Sequence, residues 1–462
     1  MAGRCMPARR VGRASWCAAL AVVTAAGCAT YSERTQLARD AAQAGDIAGS
    51  EKVLNKFLGT KSSADLPTQW KKETIVALLE RAMVLHAKGD WQLSARDMVA
   101  ADKQLVLLDV ARDAGQVGKW IFSDSAGKYH APPSEKLVLN AINMLNYVLV
   151  GDLSGARVEA KRFTITREYL GLLDAGAAAH GAFGSYIAGF VFERLGEADT
   201  ALRYYDEALQ EQAFPSLRAP IARLAARSSY RSPRIDAMLG ATQPVDAAAE
   251  AVPAAPLGEI LVVMNVGRVP YKVPERMPIG LAIGLGAAYI TGSAAVLEHS
   301  ALKFIIYPEL VPSRALFNTG TLQVDGAEWP LELATNLDAE IVREYEALKP
   351  KIIGAAISRM IVRAAVAEGA RAAGKQAKDG AGAIVGLLAA LAAEGAMVAA
   401  DKPDTRSWTL LPAFVFVARV PVQPGQHRVA ITAMGSGGRE HRDLSVDVKS
   451  GGFAVVDVTT LR

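Results

Sequence analysis

The stretch YIAGFVFERLGEADTALRYYDEAL, residues 186–209, decides how the first half of this chain folds. Apolar residues recur at steps of three and four on both sides of Leu195-Gly196-Glu197, so the stretch reads as two amphipathic helices broken at a glycine turn. Ala201, five residues past Gly196, is small where the two helices must approach closely, and Ala208 is small again further along. The same device recurs at Gly45-Asp46 with Ser50, Gly89-Asp90 with Ser94, and Gly151-Asp152 with Ala156.

Each glycine and acid pair follows helix-like sequence and opens another apolar-periodic stretch. That is the helix-turn-helix plan of a tetratricopeptide-type unit. Gly45, Gly89, Gly151, Gly196 and Ala201 are the turn and packing positions on which the reading rests. Uneven spacing between copies makes the array degenerate, and a plain helical bundle with glycine turns is the alternative.

The helical texture ends near residue 241, and TQPVDAAAEAVPAAP (242–256) lacks core-forming periodicity and reads as a linker, placed at 242–257. Beyond it GEILVVMNV (258–266) and LKFIIYP (302–308) are short β-rich runs around a glycine-spaced apolar stretch, 278–298. Helix returns over 338–400, where Ile353, Ile357, Met360 and Ala364 form one stripe with Arg359 and Arg363 off it. Ile384, Leu388, Leu391, Gly395 and Val398 form a second stripe after Asp379-Gly380, predicting a closely packed hairpin. Four final runs, PAFVFVARVPV, HRVAITAM, DLSVDVK and FAVVDVTTL, predict a small antiparallel sandwich or sheet. The fold class expected is α+β multidomain: an all-α tetratricopeptide-like domain over 28–241 and an antiparallel β-rich domain over 258–462 with an inserted Ala/Gly-rich helical hairpin.

At the front, Arg4, Arg9, Arg10 and Arg13 precede a short apolar run and Ala25-Ala26-Gly27-Cys28. A basic segment, an apolar run too short to span a bilayer, and small residues before cysteine form the pattern of a lipoprotein signal over 1–27, with Cys28 as the lipidated residue. An ordinary secretory signal with an incidental Cys28 is the alternative. Cys5 and Cys17 lie upstream, so the mature chain would keep a single, acylated sulfur, excluding disulfides, thiol catalysis and cysteine metal sites. The 462 residues carry a net charge of only +4, and no basic tract is interleaved with aromatics, which argues against nucleic acid as a partner.

Other chemistry is weakly signalled. Gly369 to Gln376 has P-loop spacing, but Gln376 replaces the hydroxyl that would hold Mg²⁺, and no strand precedes it. Gly284-Leu-Gly286 and Gly380-Ala-Gly382 suit close helix packing better than dinucleotide binding. The six histidines, His86, His130, His180, His299, His427 and His441, are scattered without metal-ligand spacing. Glu440-His441-Arg442-Asp443 reads as a solvated turn, and no GxSxG elbow offers a nucleophile. No catalytic residue, cofactor, metal or small-molecule substrate is assigned. Residues 278–297 carry no charge and residues 381–400 only Glu394, so both tempt a membrane reading; burial against protein is the competing one.

The Cys28 segment, LLERAMVLHAKGDWQLSARDMVAAD (78–102), NYVLVGDLSGARVEAKR (146–162), the strand from Gly258 and DTRSWTLLPAFVFVARVPVQPGQH (404–427) together resemble a little-characterised family of bacterial envelope lipoproteins with a tetratricopeptide-like N-terminal half. The most specific piece is 404–412, with Arg406, Ser407, Trp408, Leu411 and Pro412. The resemblance implies location and architecture and no activity, and Ala29 after the cysteine implies export to the outer membrane. The role expected is that of a non-catalytic scaffold, tethered by lipid on the periplasmic side or at the cell surface. Its helical repeats would offer a concave face to envelope protein partners, and its β-unit would dock through Arg406 and Trp408, although a Trp beside Leu410 and Leu411 also suits a core. Two rival classes are a membrane-inserting or pore-associated assembly protein using the Gly-rich helices, and a hydrolase with converging acids in a cleft.

Overall fold

The computed structural model describes residues 29–107, 128–172, 181–240, 256–290, 292, 304–375 and 402–462. The signal segment with Cys28, the second stripe of the expected hairpin, Gly380-Ala-Gly382, residues 381–400 and most of the expected linker lie outside the described residues.

The first part is helical: α1 (Tyr31–Arg34), α2 (Gln36–Ala44), α3 (Ile47–Leu58), α4 (Thr74–Lys88) and α5 (Trp91–Asp102). A two-residue parallel bridge, β1 (Val106–Leu107) with β2 (His130–Ala131), precedes α6 (Pro133–Leu149), α7 (Leu153–Leu172), α8 (Ala182–Arg194), α9 (Ala198–Glu211), α10 (Arg218–Ala225) and α11 (Pro233–Gly240). Four hairpins result, and all four turn identically. Gly45, Gly89, Gly151 and Gly196 have φ of +82°, +89°, +79° and +78°, and the following acid donates its N–H to the carbonyl five residues back, as Asp46 does to Ala41 and Glu197 to Phe192. This left-handed closure satisfies carbonyls that a helix end leaves open. Asp46 and Asp152 then cap the next helix through the N–H of Gly49 and Gly155. Ser50, Ser94, Ala156 and Ala201 are all fully buried in the hairpin seams.

The second helix of each hairpin packs on the first helix of the next: α3 on α4, α5 on α6, α7 on α8. That leaves α4, α6 and α8 as inner helices and α5, α7 and α9 as outer ones. The inner helices are buried almost all round, polar residues included.

The second part holds β3 (Gly258–Val266), β4 (Tyr271–Pro278), α12 (Ile279–Gly286), β5 (Phe304–Val311), β6 (Thr319–Val324), β7 (Ala327–Trp329), β8 (Glu332–Asn336), α13 (Leu337–Lys375), β9 (Phe414–Val422), β10 (Gly425–Gly435), β11 (Gly438–Val448) and β12 (Phe453–Thr459). Two four-stranded sheets form, ordered β11-β10-β6-β7 and β12-β3-β9-β8. All pairings in them are antiparallel except β12 with β3. The four final runs are strands as expected, but they do not make one antiparallel unit: β10 and β11 lie in one sheet, β9 and β12 flank β3 in the other. The continuous apolar run of β3 explains this, because a strand buried on both faces belongs at a sheet's centre. Its Ile260, Val262 and Met264 face the second sheet, while Leu261 and Val263 join the core of the helices. One hydrophobic core thus runs from Tyr31 to Leu461 across the segment expected to separate two domains.

A smaller cluster holds the β4–β5 hairpin, α12 and α13 together, and the stripe Ile353, Ile357, Met360 and Ala364 supplies its centre. Arg359, expected off that stripe, is buried as well. A Cβ on Gly286 would lie 2.8 Å from the backbone of Gly354, so these two helices cross at a glycine contact, whereas Gly280 and Gly284 face open space. The P-loop-like glycines and lysine, from Gly369 to Lys375, are turns of α13.

The turn glycines act through backbone conformation and not through tight packing, since a Cβ at Gly89, Gly151 or Gly196 would meet nothing within 4 Å. Gly196→Ala should therefore lower stability by about 1–2 kcal/mol through left-handed strain, and Gly196→Asn by less. Ala201→Leu should lose about 1–3 kcal/mol by overpacking a filled seam. Urea unfolding of the three variants checks the order; equal midpoints for alanine and asparagine at 196 contradict it.

Candidate functional site

The segment 404–412 has no strand partner, yet from Thr405 onward it crosses the inner helices buried. Its amides need acceptors, because an unpaired buried N–H loses most of a hydrogen bond's worth. Two helical carboxylates supply them. Glu80 of α4 accepts from the N–H of Thr409 at 2.7 Å, the Thr409 hydroxyl at 2.7 Å and the N–H of Leu410 at 2.8 Å. Glu135 of α6 accepts from the N–H of Trp408 at 3.0 Å and from the Tyr129 hydroxyl. At the segment's start Arg406 chelates Asp404 and donates to the Lys72 carbonyl at 3.0 Å. Arg406 and Trp408 are thus corrected from docking residues to interior ones, 2 % and 0 % exposed. Their neighbours Leu410 and Leu411 are equally buried, and the indole fills the core beneath them.

Further polar ties join the same two layers. Arg419 of β9 bonds Glu193 of α8 at 3.0 Å, the Tyr205 hydroxyl of α9 at 2.8 Å and Glu259 of β3 at 2.7 Å. His86 of α4 lies 3.3 Å from Asp457 of β12, and its other ring nitrogen lies 2.7 Å from Asn146 of α6. Ser134 bonds Glu344 of α13. Burial drives the titration of most of these groups. It raises Glu80 and Glu344 to about 7 and Glu340 to about 8, against the donors around Glu80 and Glu344 and the Arg343 charge near Glu340 that oppose it, and it raises Glu135 as well. For Glu193 burial is outweighed by the charge and hydrogen bonds of Arg419, which hold it at about 2. His86 is raised because Asp457 and the hydrogen bonds overcome its burial.

Shifted acids are thus present, as a hydrolase requires, but they are enclosed. The cavity beside Ser134 measures about 10 Å³, room for a single water. Among the described residues no group of histidine, cysteine or acidic side chains could hold a metal. His427 pairs with Asp325, and Glu440 to Asp443 lie on the exposed edge strand β11 and not in a turn, with Asp443 bonded to Arg428 and His441. No described helix is long and apolar enough to cross a membrane.

An open cleft of about 630 Å³ lies where the described chain begins, lined by residues 29–31, 70–73 and 402–406 with Arg34. Five basic side chains, Arg34, Lys71, Lys72, Lys402 and Arg406, face two acids, Glu73 and Asp404. Arg34 holds Glu73 and Arg406 holds Asp404. Trp70 is 41 % exposed at its rim, with Leu66 nearby in the chain at 38 %. Nothing in the sequence pattern marked this cleft, because its basic residues come from places more than 300 positions apart.

The raised carboxyls have a consequence with a definite sign. Glu80, Glu344 and Glu340 hold a proton in the folded state to higher pH than in an unfolded chain, so their contribution is complete below the ordinary glutamate range and is lost as pH rises from there to 7 to 8; His86, also raised, acts in the same direction. Glu193 acts oppositely, but only as pH falls from the ordinary glutamate range toward 2. Stability should fall by on the order of several kcal/mol as pH rises from about 5 to about 8. Glu80→Gln should flatten part of that slope and cost about 1–3 kcal/mol at pH 6, because its amide NH₂ must face an N–H donor. Thermal melts of both proteins across this range check the claim, and a level profile contradicts it. No protein-family model matches the chain, and no curated protein or solved structure matches it either.

Proposed function

We propose that the protein is a lipid-anchored envelope lipoprotein of the outer membrane, facing the periplasm, whose helical half is tetratricopeptide-like and which works as a non-catalytic protein-interaction scaffold. The observation that carries this reading is where the reactive groups have gone. Glu80, Glu135, His86 and Arg419 are buried and spent in joining the helices to the second part of the chain, with Glu193 bound to Arg419. Four identical hairpin turns and the alternating stack support the repeat reading. The anchor is supported by the way the chain enters the fold: Ala29 is exposed, Thr30 and Tyr31 are buried, and Thr30 and Glu33 cap α1 at once.

The inner face of the stack, expected to receive a partner, is covered by this chain's own strands and by 404–412. Partner contact therefore falls to the outer helices. On α7, Val158, Ile165 and Tyr169 are 50 %, 66 % and 37 % exposed at spacings of seven and four, an apolar stripe fit for an amphipathic helix of an envelope protein. One observation favours the rival, a membrane-inserting or pore-associated protein: α12 turns Leu281 and Leu285 to solvent beside Gly280 and Gly284.

Mature protein should carry acyl chains on Cys28 by intact mass, and Cys28→Ala should leave the membrane fraction once its signal is cleaved. Retention of that cleaved variant on membranes supports the rival. A photocrosslinker at residue 165 should give one discrete adduct in cells. Val158→Asp with Ile165→Asp should abolish that adduct while changing stability by less than about 1 kcal/mol; an unchanged adduct removes α7 as the docking face.

A further inference from the structure

We propose that β11 is a dimerisation edge, where a second copy of this chain pairs antiparallel around a dyad at His441 and joins two β7-β6-β10-β11 sheets into one. Neither the anchor nor the scaffold role is needed for this; the strand itself carries it.

β11 is the outermost strand of its sheet, and residues 439, 441–445 and 447 are exposed. Which of its amides are open follows from β10. Arg428 accepts the Asp325 N–H at 2.9 Å on the β6 side, so β10 turns the backbone groups of its even-numbered residues to β6 and those of its odd-numbered residues to β11. By the pairing of Val429 with Leu444 and Ile431 with Arg442, the even-numbered residues of β11 take those bonds. The N–H and C=O groups of Arg439, His441, Asp443, Ser445 and Asp447 therefore point away from the sheet, and among the described residues nothing bonds to them. Such a row is a template for another strand.

Charged side chains on an open edge usually keep it single. In β11 the order of signs opposes most partners but matches the strand's own inverted copy. Turned around His441, the run Arg439-Glu440-His441-Arg442-Asp443 is its own complement: Arg439 lies opposite Asp443 of the second copy, and Glu440 opposite Arg442 of the second copy. The backbone permits this register, because it sets the outward groups of Arg439, His441 and Asp443 against outward groups. A slip of one residue would set them against inward ones. The next permitted registers on either side place Glu440 against Glu440 or Arg442 against Arg442, like charges directly opposed. Within the chain Asp443 bonds Arg428 and His441, and Glu440 bonds Arg442 and Arg462. Among the described residues Arg439 has no acid of its own, and the second copy supplies one.

The test is disulfide trapping in the full-length protein as it is processed in cells, with the wild type as the blank for its native cysteines. His441→Cys should give a covalent dimer under mild oxidation, since residues opposed at a hydrogen-bonded pair stand about 5.5 Å apart at Cα, within reach of a disulfide. Peptide mapping should place the bond between the two introduced cysteines. Asp447→Cys, on the same strand but far from its equivalent in this register, should stay monomeric. No dimer at 441, or trapping at 447 as readily as at 441, overturns the proposal. An adduct of residue 441 with another protein and none with itself also overturns it, in favour of an extended segment of a different partner. Charge exchange gives a second measurement. Arg439→Asp and Asp443→Arg, both at exposed positions, should each weaken self-association about tenfold in sedimentation by setting like charges opposite one another. Mixing the two variants should restore it, because each then meets its opposite. Single variants that associate like the wild type, or a mixture that does not recover, overturn the pairing.

Discussion

Two carboxylates buried between a helix layer and an unpaired backbone segment hold this structure together. Residues 405–412 lie in the interior and turn at Thr409-Leu410, and Glu80 and Glu135 give amides of this segment the acceptors that a neighbouring strand would otherwise provide. Because these acids come from inner helices, α4 and α6 must sit against the β half along their polar as well as their apolar sides. The same constraint places His86 on Asp457 and Glu193 on Arg419. It also raises the affinity of Glu80 and Glu344 for protons, since each is deprived of water and neither faces a full opposing charge at contact distance.

Directionality is what such ties add to a core that apolar packing would fill in several ways. Arg419 reaches two helices and a neighbouring strand with a planar fork whose geometry tolerates little sliding. His86 does the same between α4, α6 and β12. Removing one partner from such a group leaves a buried charge without compensation, so the layers are joined in one register or not at all. The charged groups most conspicuous by their titration are for this reason the least available to a substrate.

Much of the helical half was legible because its signals are local. Gly196, Glu197 and Ala201 sit within six residues and specify a turn, a cap position and a seam without reference to anything distant. The strand runs and the stripe from Ile353 to Ala364 were legible for the same reason. Arg406 and Trp408 were not, because what buries them is 270 to 330 residues away. Glu80 and His86 read as solvent-facing until residues 409–410 and Asp457 cover them, and Arg81 until Asp97 and the Asp65 carbonyl do. A hint was present: LLERAMVLHAK carries its polar residues scattered round the helix instead of along one side, the mark of an element enclosed by partners. The parallel placement of β12 beside β3 left no trace in either strand, since alternation reports which faces are buried and not which neighbour a strand takes.

β3 takes both of its neighbours, β9 and β12, from residues 414–459. Until residues 404–459 are available, β3 lacks both its neighbours and α4 and α6 hold their acids toward empty space. Leu461 closes the same core in which Tyr31 sits at the opposite end of the chain, and Arg462 reaches back over Gly45. Contacts of this kind join parts of the chain more than 370 residues apart, as the N–H of Ser32 does in donating to the Thr405 hydroxyl. Pairings this far apart in the chain must close long loops before they are rewarded, so they form slowly beside the local hairpins of the helical half.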